Sequence, residues 1–153
     1  MPAVLFVCTA NRSRSPIAAA TFLKELANRG IADAWDVQSA GTWTADGLAP
    51  AADAVASAER LGLDLADHLS QVITPKLVQK ADVVIVMEQG QKEALRHEYA
   101  GARDKIHLLS EVTAGLAYDV PDPITPASAA KIHTEIVELV QNGFDRICAL
   151  AIH

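Results

Sequence analysis

Two unbroken apolar runs, Ala3-Val4-Leu5-Phe6-Val7 and Val83-Val84-Ile85-Val86, set the first limit on what this chain can fold into. A strand with one wetted face alternates apolar and polar residues. A continuous apolar run is covered on both faces, as the strands of parallel sheets are. Trp35 to Ala40 and Lys105 to Leu109 read as two further strands, and the central run extends from Asp82 to Met87. Helical stretches alternate with them. Ile17 to Arg29 carries Ile17, Ala20, Leu23 and Ala27 at helical spacing and stops at Gly30; Ala51 to Leu61 is alanine-rich and stops at Gly62. Thr74-Pro75 reads as an N-cap and first helical residue of a short helix ending near Lys80. Glu88 to Tyr99 and Ala127 to Leu150 are helical, the latter with an interruption at Gly143. The order β-α-β-α-α-β-α-β-α predicts a three-layer α/β fold, a four-stranded parallel sheet with helices on both faces.

The length of 153 residues predicts one domain, residues 1–153, able to bury about 70% of its extended surface without disulfide or metal staples. No apolar run approaches the roughly 20 residues that cross a bilayer, and Met1 to Val7 lacks the basic start of a secretory signal. The formal net charge of −6 argues against partners such as nucleic acid or an anionic membrane, while leaving room for one small basic pocket. Cys8 and Cys148 stand alone near opposite ends of the chain, a usage that suits a reducing cytoplasm. His68, His97, His107, His133 and His153 show no ligand spacing, so no metal site is expected.

In a parallel sheet, ligands sit beyond the carboxyl ends of the strands. That selects Cys8 to Ser15, Gly41 to Pro50, Glu88 to Gln91 and Ser110 to Pro126. The first of these, Cys8-Thr9-Ala10-Asn11-Arg12-Ser13-Arg14-Ser15-Pro16, runs from a strand into a helix. Ser15 reads as the N-cap and Pro16 as the first helical residue. A loop of small and polar residues ending at a helix N-terminus can wrap its backbone N–H groups around an anion, and Arg14 can clamp two phosphate oxygens. Such surroundings favour a thiolate, with the Ser15 hydroxyl as a further donor to the sulfur. A lone strand-end cysteine is commonly core filler. Here strand, spacing, arginine and Ser-Pro coincide, which favours a nucleophile.

The spacing Cys8-x5-Arg14 followed by Ser15-Pro16 resembles the phosphate loop of the low-molecular-weight protein tyrosine phosphatases. The resemblance continues in Ser39-Ala40-Gly41-Thr42, in Val83 to Glu88 and in Asp119-Val120-Pro121-Asp122-Pro123. It implies a phosphomonoesterase that acts on phosphorylated proteins or small aryl phosphates through a cysteinyl-phosphate, without metal or cofactor. It makes Cys8 the nucleophile, Arg14 the phosphate-binding and transition-state-stabilising cation, and Ser15 the stabiliser of the thiolate. Asn11 holds the loop's shape, and Thr9, Ala10, Arg12 and Ser13 complete the phosphate and oxyanion site. Asp122 is the general acid and then base; departure of an alkoxide or phenolate needs such a proton in any case. Asp119 reads as a fastening residue, and Asp122 taken alone could merely open a turn.

The departures bear on substrate choice. The family usually has glycine at Ala10, an apolar residue at Arg12 (threonine in the arginine-phosphatase branch), and one or two tyrosines where this chain has Ile124 and Thr125. Arg12 either attracts an anionic substrate or points to solvent. Trp43 either walls the pocket or packs over the sheet edge. A protein arginine phosphatase is the nearest alternative. A thioredoxin-coupled arsenate reductase needs two relay cysteines mid-chain, which are missing here. A phosphocysteine carrier would not need Arg14 or Asp122, and a non-catalytic phosphoprotein-binding module would not need the four catalytic side chains together.

Overall fold

The computed structural model describes residues 1–152, so His153 lies outside the described residues. Four parallel strands, β1 (Ala3–Cys8), β2 (Asp36–Gly41), β3 (Val83–Val86) and β4 (Ile106–Leu108), form one sheet in the order β2-β1-β3-β4. Every residue of β1 is buried, and its side chains divide between the two faces. Val4, Phe6 and Cys8 join the larger core with Val83, Ile85 and Met87, while Leu5 and Val7 join the smaller one with Val84 and Val86. The unbroken apolar run is therefore two interleaved faces, each covered by helices, as expected.

The helices are α1 (Arg14–Asn28), α2 (Ala52–Leu61), α3 (Pro75–Lys80), α4 (Gln89–Glu98), α5 (Leu109–Ala114), α6 (Pro126–Asn142) and α7 (Phe144–Ala151). The larger core gathers α1, α2, α5, α6 and α7, with the Phe22 ring in tilted or edge-on contact with Phe6, Trp35 and Phe144. The expected Thr74-Pro75 start of α3 is present, with Thr74 Oγ1 accepting from the Leu77 amide at 3.2 Å. The break at Gly143 is complete. A Cβ there would lie 2.3 Å from Thr113 Cγ2, so only glycine lets α5 pack against the junction of α6 and α7.

Two boundaries differ from expectation. α5 was expected as loop; six residues rich in Ser, Thr and Val carry too little periodicity to show, and tertiary packing makes the helix. α1 begins at Arg14 rather than after Ser15, with Ser13 as its N-cap. Pro16 is then the third helical residue, still within the first turn, where an N–H has no helical partner.

β1 has β2 on one side and β3 on the other, so the chain leaving β1 enters a crevice at the point where strand order reverses. The Cys8-to-Ser15 loop occupies that crevice.

Candidate active site

Cys8 ends β1, buried, with Sγ 3.0 Å from Ser15 Oγ. Ser15 Oγ also accepts from Asn11 Nδ2 at 2.8 Å. With that lone pair taken, the hydroxyl's own proton is well placed to point at the sulfur, the arrangement a thiolate needs. Asn11 has a positive φ of 58°, a conformation asparagine tolerates better than most residues. Its side chain also donates to Ser39 Oγ at 2.9 Å and accepts from the Gln71 amide at 2.9 Å, while His68 Nε2 donates to its carbonyl at 2.8 Å. The loop is thus fixed from β2 and from the segment before α3.

The close approach of β2 depends on Gly41. A Cβ at this position would lie 2.5 Å from the Thr9 carbonyl oxygen. The next two amides bind the loop directly: Thr42 N donates to Cys8 O and Trp43 N to Thr9 O, both at 3.0 Å.

Arg14 is almost wholly buried. One terminal nitrogen, Nη1, donates to Glu88 Oε2 at 2.7 Å and to Val120 O at 2.8 Å; Nη2 lies 3.4 Å from Thr9 Oγ1. Nε is buried without a hydrogen-bond partner and stands 3.8 Å from Asp122 Oδ1. The Glu88 pair fixes one edge of the guanidinium and leaves Nε for a further acceptor. Gln91 completes this wall, donating to Thr9 Oγ1 at 3.0 Å and accepting the Met87 and Glu88 amides at 3.2 and 3.1 Å.

The late loop is held at several points. Val120 N donates to Met87 O at 2.9 Å, Asp119 Oδ1 accepts the Gln89 amide at 2.8 Å, and Ser110 Oγ bonds both the amide and the carbonyl of Tyr118. Asp119 is therefore a fastening residue. Asp122 projects beyond these ties with its side chain 72% exposed. A pocket of about 210 Å³ lies between it and Cys8, walled by Ala10, Arg12, Ser13 and Arg14 of the first loop, Ala51 and Asp53 at the start of α2, and Pro123.

Two expectations need correction. Arg12 does line the pocket, but its Nε donates to the Ala49 carbonyl at 2.8 Å while its own carbonyl accepts the Ala51 amide at 2.8 Å. It fastens the approach to α2 rather than simply pointing to solvent. Trp43 is 84% exposed and does not pack over the sheet edge, nor does its ring line this pocket; a tryptophan on a loop tip has only its backbone tied to Thr9. Ile124 is 93% exposed. Glu88, Gln91, Asp53, Ser39, Gln71, His68 and His133 were not foreseen as site residues. They come from separate elements; Glu88 and Gln91 fall in a segment selected for its place beyond a strand end and Ser39 in a stretch that carries the resemblance, while Asp53, Gln71, His68 and His133 gave no sign of a site role.

Over residues 3–150 the chain matches the family model of the low molecular weight phosphotyrosine protein phosphatases. The chain belongs to this family. It is thus a phosphatase whose relatives divide in their naming. This phosphatase is 30% identical to a probable low molecular weight protein-tyrosine-phosphatase, EpsP, of Ralstonia nicotianae, over 93% of this chain and 90% of the relative. It is 33% identical to a protein-arginine-phosphatase of Bacillus subtilis over 78% of each chain. The crystal structure of a low molecular weight protein tyrosine phosphatase from T. tengcongensis resembles it with a TM-score of 0.87 at 30% identity, covering 95% of this chain and 99% of that one.

Proposed function

We propose that this phosphatase hydrolyses phosphorylated side chains of proteins, phosphotyrosine foremost, and small aryl phosphates, with no metal or cofactor in the scheme. We further propose that residues 1–153 act as one domain in the cytoplasm, where an active-site thiol stays reduced. Among the described residues no helix is long and apolar enough to cross a membrane.

The observation that carries the reading is the meeting, in one pocket, of Cys8 Sγ with its Ser15 partner at 3.0 Å, the unpartnered Nε of buried Arg14, and Asp122 3.8 Å from that Nε. A phosphoryl group over Cys8 takes the loop amides and Arg14 Nε as donors. The thiolate attacks phosphorus, the P–O bond breaks, and the Asp122 carboxyl gives its proton to the leaving oxygen. The Asp122 carboxylate then draws a proton from water as that water attacks phosphorus. The P–S bond breaks, releasing phosphate and returning the thiolate.

A second reading, action on phosphoarginine, is supported by the pocket wall itself. It presents Asp53 and Asp122 and no aromatic ring. Carboxylates suit the N–H donors of a phosphoguanidino group, whereas a phenyl ring finds no stacking partner there. Arg12 in the same wall weighs against it.

Cys8→Ser is expected to abolish turnover of an aryl phosphate while vanadate still binds; turnover near the wild-type rate would sink the nucleophile assignment. Phosphotyrosine, phosphoarginine and phosphoserine peptides compared on the wild-type enzyme decide between the two substrate readings.

A further inference from the structure

His133 lies on α6, away from the Cys8-to-Ser15 loop in sequence, and is completely buried. Both ring nitrogens are engaged: Nε2 is 2.6 Å from Ser13 Oγ and Nδ1 is 2.7 Å from Ser57 Oγ on α2. Burial pushes its pKa below the usual histidine range; Asp53 opposes that shift and Arg60 adds to it. A neutral imidazole has one N–H and one lone pair. The two serine hydroxyls are therefore oriented together, one donating to the ring and the other accepting from it.

Ser13 is the N-cap of α1. A serine in that place ordinarily turns its hydroxyl back to accept from the amide of the second or third helical residue. Here the third is Pro16, which has no N–H, so the Ser15 amide is the remaining target. Ser13 makes no such bond, and its backbone, at φ −137° and ψ −83°, is non-helical. A hydroxyl turned onto the Ser15 amide would consume one of the donors that a helix N-terminus offers to an anion. His133 draws the hydroxyl the other way.

We propose that His133 is a positioning residue of the phosphate loop, acting through Ser13 Oγ to fix the loop just before Arg14 and to keep the Ser15 amide uncapped for the phosphoryl oxygens. Neither partner is adjacent to the histidine in sequence; the loop and the start of α2 border the pocket, and His133 ties both to α6 from behind it. Asp53, one turn before Ser57 on α2, lines that pocket with a buried carboxylate oxygen that lacks a hydrogen-bond partner. The inference rests on the reading of this loop as a phosphate site.

The test is a double-mutant cycle on the full chain between His133→Ala and Ser13→Ala. Its readouts are kcat and KM for an aryl phosphate, the inhibition constant of vanadate, and the thermal midpoint. His133→Ala alone is expected to weaken vanadate binding and kcat/KM by about tenfold, the worth of one misdirected hydrogen bond. In the Ser13→Ala background no hydroxyl is left to cap the helix, so adding His133→Ala is expected to cost less than about twofold. His133→Gln, whose amide can still engage Ser13, is expected to recover most of the loss. Equal costs in the two backgrounds, or wild-type vanadate binding in His133→Ala, would overturn the proposal. If His133→Ala does not fold, His133→Leu fills the same space without ring nitrogens and is read by the same cycle. A wild-type protein that neither turns over aryl phosphate nor binds vanadate would instead overturn the phosphatase reading beneath it.

Discussion

Asn11→Ala tests how the active-site loop is held. The Asn11 side chain makes three hydrogen bonds, to Ser15 Oγ, Ser39 Oγ and the Gln71 amide, at 2.8, 2.9 and 2.9 Å. The residue is wholly buried, so water does not replace them. At about 1 kcal/mol each they come to roughly 3 kcal/mol. Alanine at a φ of 58° adds about 1 kcal/mol of backbone strain. The expected loss is about 4 kcal/mol, a large part of the about 5–15 kcal/mol that holds a typical domain together. Ser39→Ala removes only one of these bonds and should cost about 1 kcal/mol. Urea denaturation followed by circular dichroism gives both values. Activity should fall as well, because without the Asn11 donor the Ser15 proton is no longer directed toward Cys8. A loss below about 1 kcal/mol for Asn11→Ala, or a loss of stability with full kcat, would refute the account of Asn11 as the loop's organiser.

Asp122→Asn should slow esters with poor leaving groups by about 10² or more while sparing activated aryl phosphates, because only the former need the proton. Rates measured across a series of substituted phenyl phosphates check this, and an equal loss for all would implicate another acid. Folding stability should fall as pH drops below about 6.5. Burial lowers the pKa of His133, against Asp53, and that of His107, where Arg96 and Lys92 add to the effect. The unfolded chain then binds protons that the folded one refuses. This contribution is complete above the unfolded histidine value and is lost as pH falls toward the folded ones, at no more than about 1.4 kcal/mol per pH unit for each group. Urea denaturation at pH 7.5 and 5.5 should show a smaller drop in His133→Gln than in wild type; an identical drop would exclude His133 as a contributor.

The sheet was legible because β1 and β3 are covered on both faces, and such strands announce themselves as apolar runs. Less legible was whatever depended on where a particular hydroxyl goes. Ser15 looks like a helix cap, yet its hydroxyl is spent on Cys8 and the helix starts at Arg14 under Ser13. α5 is invisible to periodicity because its six residues are held by Thr113 bonding back to Leu109 and by the space left at Gly143. The candidate loop itself could be read because Cys8, Arg14 and Ser15 all fall within one short stretch between β1 and α1. Its supports could not, because they come one or two at a time from other elements. His68 and His133 show no metal spacing, and their actual partners are a backbone carbonyl and serine hydroxyls.

Charge shows most clearly what the structure adds. An acidic chain of net −6 that binds a phosphoryl dianion suggests a local excess of cationic side chains. The pocket has no such excess. Arg12 and Arg14 face Asp53 and Asp122 across it, and Glu88 lies behind Arg14 at 2.7 Å. Side-chain charge alone would leave the site near neutral or slightly acidic. Attraction for the anion must then come from direction rather than sum: the unpaired N–H groups that a helix start such as that of α1 offers, and one guanidinium edge left open because Glu88 and Val120 occupy the other. The carboxylates serve distinct ends within this arrangement. Glu88 orients the cation, and Asp122 stands at 72% exposure at the mouth of the pocket, the position the proposed proton donor to a leaving group requires. A phosphate site built in this way discriminates by geometry, which is why the buried ties of Asn11, Gly41 and His133 matter as much to it as the charge of Arg14.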